Sequence, residues 1–462
     1  MRQHVAGRLA IAIAATALVV MLAGRAAPRV EAQQPPQPTG GPPISSADRV
    51  YTADQVSNTV SVINPASNEL LGTLPLGNPQ PDDVLGALYN REAGVHGLGF
   101  SPDGSLLNVV NVTSNSVTIV ETATNTIRGT IYLGRAPHEG FFTPDGRQLW
   151  VAVRGQRYVS VIEVATLTET RRIPTMDGVA MVTFRPDGRY AFVDSSRLPV
   201  VGVIDTQTYE MVTDVSVTSP FSPNILATPD GRDVWLTHKD VGKTTVLDAE
   251  TFQVKYVLDT GMTTNHVNFV SNATGDFAYV TIGGENAVKV YRRSDPPELV
   301  ATIPTGSTPH GIWPSGDSSR VYIGLEDNDA VQVIDTTTNQ VIATTRIGQS
   351  PQALVYVVNA VPSGDGRANL TMQRVGQRVA KYRVTAQDMP FAIAPAPPAD
   401  AKGSMVVRQL DEVDQLSLMA MDLAPSTTYR ITRTDRPDVT IAEFVSGPTG
   451  MGRATATASL TR

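Results

Sequence analysis

Four histidines stand at one recurrent place in this chain: His96, His138, His266 and His310. Their separations of 42, 128 and 44 residues are close to whole multiples of a single period. Scattering five histidines at random would put about 0.1 of them on seven equivalent positions, so a repeated architecture places them. The other equivalent positions carry Ala180, Asn224 and Gln352. Neutral imidazoles converging on an axis offer nitrogen ligands to copper or zinc, and without a thiolate the general affinity order favours copper. Asn224 and Gln352 would add amide groups for a polar ligand. The competing reading is structural, with each imidazole hydrogen-bonding to the next repeat.

An insertion gives a second candidate. The step from Gly134 to His138, from Gly306 to His310 and from Gly348 to Gln352 is 4 residues, whereas from Gly77 to His96 it is 19. The added stretch, residues 78–93, contains Asp82, Asp83, Tyr89 and Arg91 and adjoins the histidine position. A long loop on a rigid scaffold is a common place for residues that bind a partner or small ligand, although it can also be a plain surface insertion.

The elements that must position these groups are short β-strands. Ser101-Pro-Asp-Gly104 returns as Thr143-Pro-Asp-Gly146, Arg185-Pro-Asp-Gly188 and Thr228-Pro-Asp-Gly231, with glycines 42, 42 and 43 residues apart. Degenerate copies stand at Gly275-Asp276 and Gly316-Asp317. In phase with them run Val60-Ser-Val-Ile-Asn64, Val117-Thr-Ile-Val-Glu121, Val159-Ser-Val-Ile-Glu163, Val201-Gly-Val-Ile-Asp205 and Val331-Gln-Val-Ile-Asp335. Proline presets the turn dihedral, glycine takes the conformation that follows, and the closing acid can accept amide hydrogens from the Thr-rich turn after it. About four β-rich runs per period of about 40–45 residues describe a propeller blade.

These motifs resemble the YVTN-repeat β-propellers, including the YncE-type exported bacterial proteins. The resemblance covers roughly residues 45–360 and implies an all-β, WD40-like propeller. It carries little about activity, because propellers host many functions. Inner strands are expected near residues 96, 138, 180, 224, 266, 310 and 352. Arg49 to Gly77 lacks a first strand of its own, and Ala353 to Val358 can supply it, closing seven blades without a free edge. An eight-blade count using Ala368 to Val384 is the alternative.

Residues 361–462 are expected to form a small, separable β-sandwich-like module behind a Pro/Ala-rich linker, Thr385 to Lys402. Leu423-Ala-Pro-Ser-Thr-Thr-Tyr429 resembles the fibronectin-type corner in which a tyrosine hydroxyl bonds upstream backbone.

Other chemistry is excluded or weak. With no cysteine among 462 residues, disulfides, thiolate zinc sites, Fe–S clusters and thiol nucleophiles are ruled out. Net charge −7 gives nucleic acid no electrostatic encouragement. Nucleophile-elbow, zinc-helix and dinucleotide motifs are missing, and Gly242-Lys-Thr244 lacks the first glycine of a phosphate loop. Glu326-Asp-Asn-Asp329 lacks the glycine and distal glutamate of a helical calcium loop and is expected to be a solvated hairpin tip.

The N-terminus has a secretory pattern: Arg2 and Arg8, an apolar run from Leu9 to Ala23, and a small-x-small site ending at Ala32. Residues 1–32 are expected to be removed, leaving a flexible leader over 33–44 and a periplasmic or secreted chain without a membrane span; a retained anchor is the alternative. The expectation for function is a non-catalytic propeller that binds a partner protein or small ligand on one face. A copper or zinc redox site on the histidine ring, or a lactonase-like hydrolysis, are the alternatives, and no catalytic residue is singled out.

Overall fold

The computed structural model describes residues 40–76, 93–372, 379–387, 389–409 and 414–460. Among these, every named element is a strand. Blade 1 is built from Val95–Phe100, Leu106–Asn111, Ser116–Glu121 and Thr126–Tyr132, each antiparallel to the next. Five further four-stranded blades follow, with inner strands Pro137–Phe142, Val179–Phe184, Ile225–Ala227, Thr264–Asn272 and Pro309–Pro314. Blade 7 takes its inner strand, Pro351–Val357, from the end of the repeat region and its outer three from Arg49–Asp54, Thr59–Asn64 and Glu69–Pro75. Each inner strand packs on the next, and the seventh packs on the first. The ring is therefore closed at seven blades.

Local chemistry explains the recurrence. Gly104, Gly146, Gly188 and Gly231 all sit near φ +70°, where a side chain would be strained. In the same turns Asp103, Asp145 and Asp230 accept hydrogen bonds from Ser101, Thr143 and Thr228 at 2.5–2.6 Å. Asp205, Asp248 and Asp335 each accept two amide hydrogens from the turn that follows. Apolar residues on both faces of the inner strands fill the space between blades, with Trp150 against Phe184 and Trp235 against Phe269 as edge-to-face pairs. Phe100 of blade 1 meets Trp313 of blade 6 at 5.6 Å, although these blades are not neighbours. That contact fills the axis at the ends of the inner strands.

Closure is fastened by buried polar groups as well as by the strand ladder. Asp48 accepts the Tyr356 hydroxyl at 2.6 Å and the Asn359 amide at 2.8 Å. Arg49, 1% exposed, donates to the carbonyls of Ser46, Asp48 and Asp365. Residues 361–371 continue along the outside of the ring, where Thr371 bridges Thr73 and Asn125 donates to the carbonyls of Gly366 and Ala368.

The C-terminal module has two facing sheets. One comprises Val379–Arg383, Lys402–Gln409, Asp414–Met421 and Gly452–Ala458; the other comprises Phe391–Ala394, Thr428–Arg433 and Arg436–Val445. Met405, Leu416, Tyr429 and Ile431 are at its centre. The Tyr429 hydroxyl accepts the Ala424 amide at 3.0 Å, forming the corner that its motif implied. The Pro/Ala-rich stretch is not wholly a linker, because Phe391 and Ile393 alternate inward as a strand.

One expectation is corrected by a side chain of the module. Arg408, on Lys402–Gln409, is 4% exposed and reaches the blade 6 hairpin, donating to the Glu326 carbonyl at 2.7 Å and lying 3.4 Å from Asp327 and Asp329. That hairpin is not a solvated tip, and the module is not joined to the propeller only through its chain connection. A buried guanidinium between two carboxylates is costly to break from one side. Arg408→Met is expected to lower the unfolding free energy by up to about 3–5 kcal/mol, because Asp327 and Asp329 would lose the guanidinium that lies against them under the module. A urea midpoint equal to that of the wild type would contradict this anchoring.

Candidate functional site

Antiparallel pairing decides which residues meet at the axis. The start of each inner strand lies opposite the end of the second strand of its blade, as in Val95 with Asn111, Pro137 with Val153 and Pro309 with Leu325. Two sets of seven positions therefore ring the same mouth. One set is His96, His138, Ala180, Asn224, His266, His310 and Gln352. The other follows directly after the second strands: Gln55, Val112, Arg154, Ser196, Lys239, Gly283 and Glu326.

The ladder is broken at the first set. Register shifts fall between Val95 and Gly97, Pro137 and Gly140, Val179 and Val182, Thr264 and Val267, and Pro309 and Ile312. A bulge releases residues from strict in–out alternation and re-aims their side chains. The four histidines resolve into two pairs, His96 with His138 at a ring-centroid distance of 4.3 Å and His266 with His310 at 4.8 Å. His138 Nδ1 lies 3.0 Å from the Ala180 carbonyl, and His310 Nδ1 lies 2.7 Å from the Gln352 carbonyl. A carbonyl only accepts, so both imidazoles carry the proton on Nδ1 and keep the Nε2 lone pair. These bonds join neighbouring blades, as the structural reading of the histidines anticipated for this position.

Burial sets the protonation states. Desolvation drives His96, His138 and His310 well below the ordinary histidine value, reinforced by the charge of Arg154 or Lys239, and holds His266 at about 3. Glu139 and Asp194 are pushed well above the carboxylate range by desolvation, and for Glu139 the Asp194 charge adds to it. Burial likewise lowers Arg154 and Lys239. Arg154, Lys239 and Glu326 keep partial solvent contact while protein surrounds them, as the walls of a narrow funnel would. Among the described residues, no carboxylate forms a salt bridge with Arg154 or Lys239, although the charges of Glu326, Asp240 and Asp327 act on Lys239 and those of Glu139 and Asp194 act on Arg154.

The remaining candidates are placed differently. Asn224 is 3% exposed, its Oδ1 accepting the Val267 amide at 3.0 Å and its Nδ2 turned to the Met181 sulfur, so its amide braces blades 3, 4 and 5. Gln352 donates to the Ser350 hydroxyl at 3.1 Å and hydrogen-bonds Glu326. Asp82, Asp83, Tyr89 and Arg91 lie outside the described residues. The fifth histidine of the chain after residue 32, His238, is saturated by the Ser219 carbonyl and the Thr245 hydroxyl and belongs to the core.

The profile of the YNCE-like beta-propeller family matches residues 93–352, more than half of the chain. The chain belongs to the YncE-like β-propeller family. No curated protein sequence matches it. Among solved structures, this YncE-like propeller is similar to hydrazine synthase of Kuenenia stuttgartiensis (TM-score 0.53, 20% identity, covering 57% of this chain and 89% of that one). It is also similar to a functionally unknown protein of Desulfotomaculum acetoxidans (TM-score 0.56, 12% identity, 66% and 98% covered). A third likeness is to the dihydro-heme d1 dehydrogenase NirN (TM-score 0.50, 12% identity, 84% and 75% covered). At these identities the likenesses show the fold alone.

Three residues of the mouth escaped the sequence reading: Glu139, Arg154 and Lys239. Glu139 shares its slot with Gly97, Met181, Ile225, Val267, Gly311 and Ala353, so an acid among apolar residues and glycine was the available signal.

The histidine states have a measurable consequence. With His266 at about 3 when folded and near 6.5 when unfolded, the unfolded chain binds more protons below pH 6.5, and this residue's contribution is lost as pH falls. The raised acids Glu139 and Asp194 act oppositely, since the folded chain binds their protons more tightly as pH falls towards 4. A comparison of variants isolates the imidazole. Relative to wild type, His266→Asn is expected to gain about 1.4 kcal/mol per pH unit between pH 6 and 4. Urea titrations at pH 7, 6, 5 and 4 measure this, and a stability difference independent of pH would show that His266 titrates normally.

Proposed function

We propose that this chain is an exported, non-catalytic binding propeller whose axial mouth holds a small anionic ligand. The observation that carries the reading is the pair of desolvated cations, Arg154 and Lys239, neither of which is in a salt bridge with a carboxylate of the described residues. An uncompensated charge in a desolvated place costs several kcal/mol, and an anion entering from solvent would offset that cost. Burial pushes the neighbouring acids Glu139 and Asp194, and Glu326 beside Lys239, towards the protonated form, which weakens their opposition to the positive field. Two features favour a small ligand over a protein: the cations are recessed within the ring, and the Arg408 contact of the C-terminal module occupies the rim at blade 6. Export is supported by the secretory pattern of residues 1–32.

Inorganic phosphate and succinate serve as probes in calorimetric titrations of chelator-treated protein. Saturable binding that weakens with added salt is expected. Arg154→Gln and Lys239→Gln should each weaken it at least tenfold, or about 1.4 kcal/mol. Absence of saturation by either anion at about 1 mM, where binding would be worth only about 4 kcal/mol, would overturn the reading.

A further inference from the structure

We propose that His96, His138 and Glu139 form a site for one divalent transition-metal cation, and that His266 and His310 do not share in it. One ligand atom from each of the three residues lies within 4.8 Å of the other two. Glu139 is 2% exposed and its Oε1 has no hydrogen-bond partner among the described residues; the same holds for His96 Nδ1. A buried carboxyl oxygen and a buried ring nitrogen left without partners, on residues whose ligand atoms cluster, are what an empty coordination set leaves behind.

The backbone explains how two consecutive residues reach one site. Along a regular strand His138 and Glu139 would point to opposite faces. The register shift between Pro137 and Gly140 takes both out of the ladder and lets both face the neighbouring His96. His138 is already oriented, because its Nδ1 proton is held by the Ala180 carbonyl and its Nε2 is free, the arrangement found behind most metal-bound imidazoles. Zinc ligands at about 2.0–2.1 Å have tetrahedral edges of about 3.4 Å, so side-chain rotations of modest size close the set. Two imidazoles and the Glu139 carboxyl, which gives its proton to solvent when a cation binds, suit borderline cations such as Zn(II) and Cu(II) and leave a position open to the funnel. The second histidine pair has no equivalent acid, since Val267 and Gly311 follow His266 and His310.

This site stands independently of anion binding, and one substitution separates the two. Arg154 is the cation whose charge acts on His96, His138 and Glu139, and it would repel a metal ion. Arg154→Gln should therefore weaken phosphate binding at least tenfold while tightening Zn(II). The test is calorimetric titration of chelator-stripped protein, without added anion, with Zn(II), Cu(II) and, as hard-cation controls, Mg(II) and Ca(II). The expected result is one Zn(II) or Cu(II) per chain, copper the tighter, with neither control binding. Loss of a ligand should exceed the roughly 10–100-fold typical of outer-shell substitutions. Glu139→Gln and His96→Asn should thus weaken Zn(II) by more than about 100-fold, whereas His266→Asn should leave it within about threefold. A rise in melting temperature with Zn(II), absent in Glu139→Gln, reports the same site in folded protein. Equal losses in His266→Asn and His96→Asn would replace this site with a four-histidine ring. Binding that is absent, or unaffected by Glu139→Gln, would overturn the proposal outright.

Discussion

Pairing of Pro351–Val357 with Arg49–Asp54 is the contact on which the mouth depends, because it turns a row of blades into a ring. Until the two ends of the repeat region pair, the equivalent positions of successive blades are neighbours along an open edge. Once they pair, seven inner strands share an axis and seven side chains from each register position must meet around it. The Asp48–Tyr356 bond and the buried guanidinium of Arg49 sit at this seam, where an edge would otherwise expose unpaired backbone groups. Chemistry at the mouth is thus assembled from residues as distant as His96 and His310 by a pairing that involves neither.

Convergence has an electrostatic cost that the rest of the structure distributes. Burial pushes the four imidazoles towards the neutral form and Glu139 and Asp194 towards the protonated form, and it lowers Arg154 and Lys239. The charged pairs at the rim are treated differently. Asp327 and Asp329 receive Arg408 from the C-terminal module, which converts an acidic hairpin into a docking point. Arg154 and Lys239 receive no such partner from the described residues. The fold thus supplies a salt-bridged counter-charge at the blade 6 hairpin and none at Arg154 or Lys239.

The repeat made the ring legible. Glycine turns, Val-x-Val-Ile-Asp strands and the missing first strand before Arg49 lead to seven blades and their shared seventh, and the histidine positions follow from the same spacing. What resisted reading has physical causes. Strict alternation places Glu139 away from His138, and only the bulge reverses that. Arg154 and Lys239 lie one residue beyond their strands, in turns where a charge ordinarily meets water. The Glu326–Asp329 hairpin was misread because its partner, Arg408, belongs to another domain. Phe391–Ala394 was hidden by the prolines around it. Asp82, Asp83, Tyr89 and Arg91 keep the standing they have in the sequence.

If Arg154 and Lys239 are held for an anion, they are held at a cost to the fold, and stability measures that cost directly. In ligand-free protein, the melting temperature of the double variant Arg154→Met, Lys239→Met is the decisive quantity. Methionine keeps the apolar stem and removes the charge, so relief of desolvation should raise the melting temperature above that of the wild type. A lower melting temperature would show that the two cations are already compensated within the protein and would contradict the account.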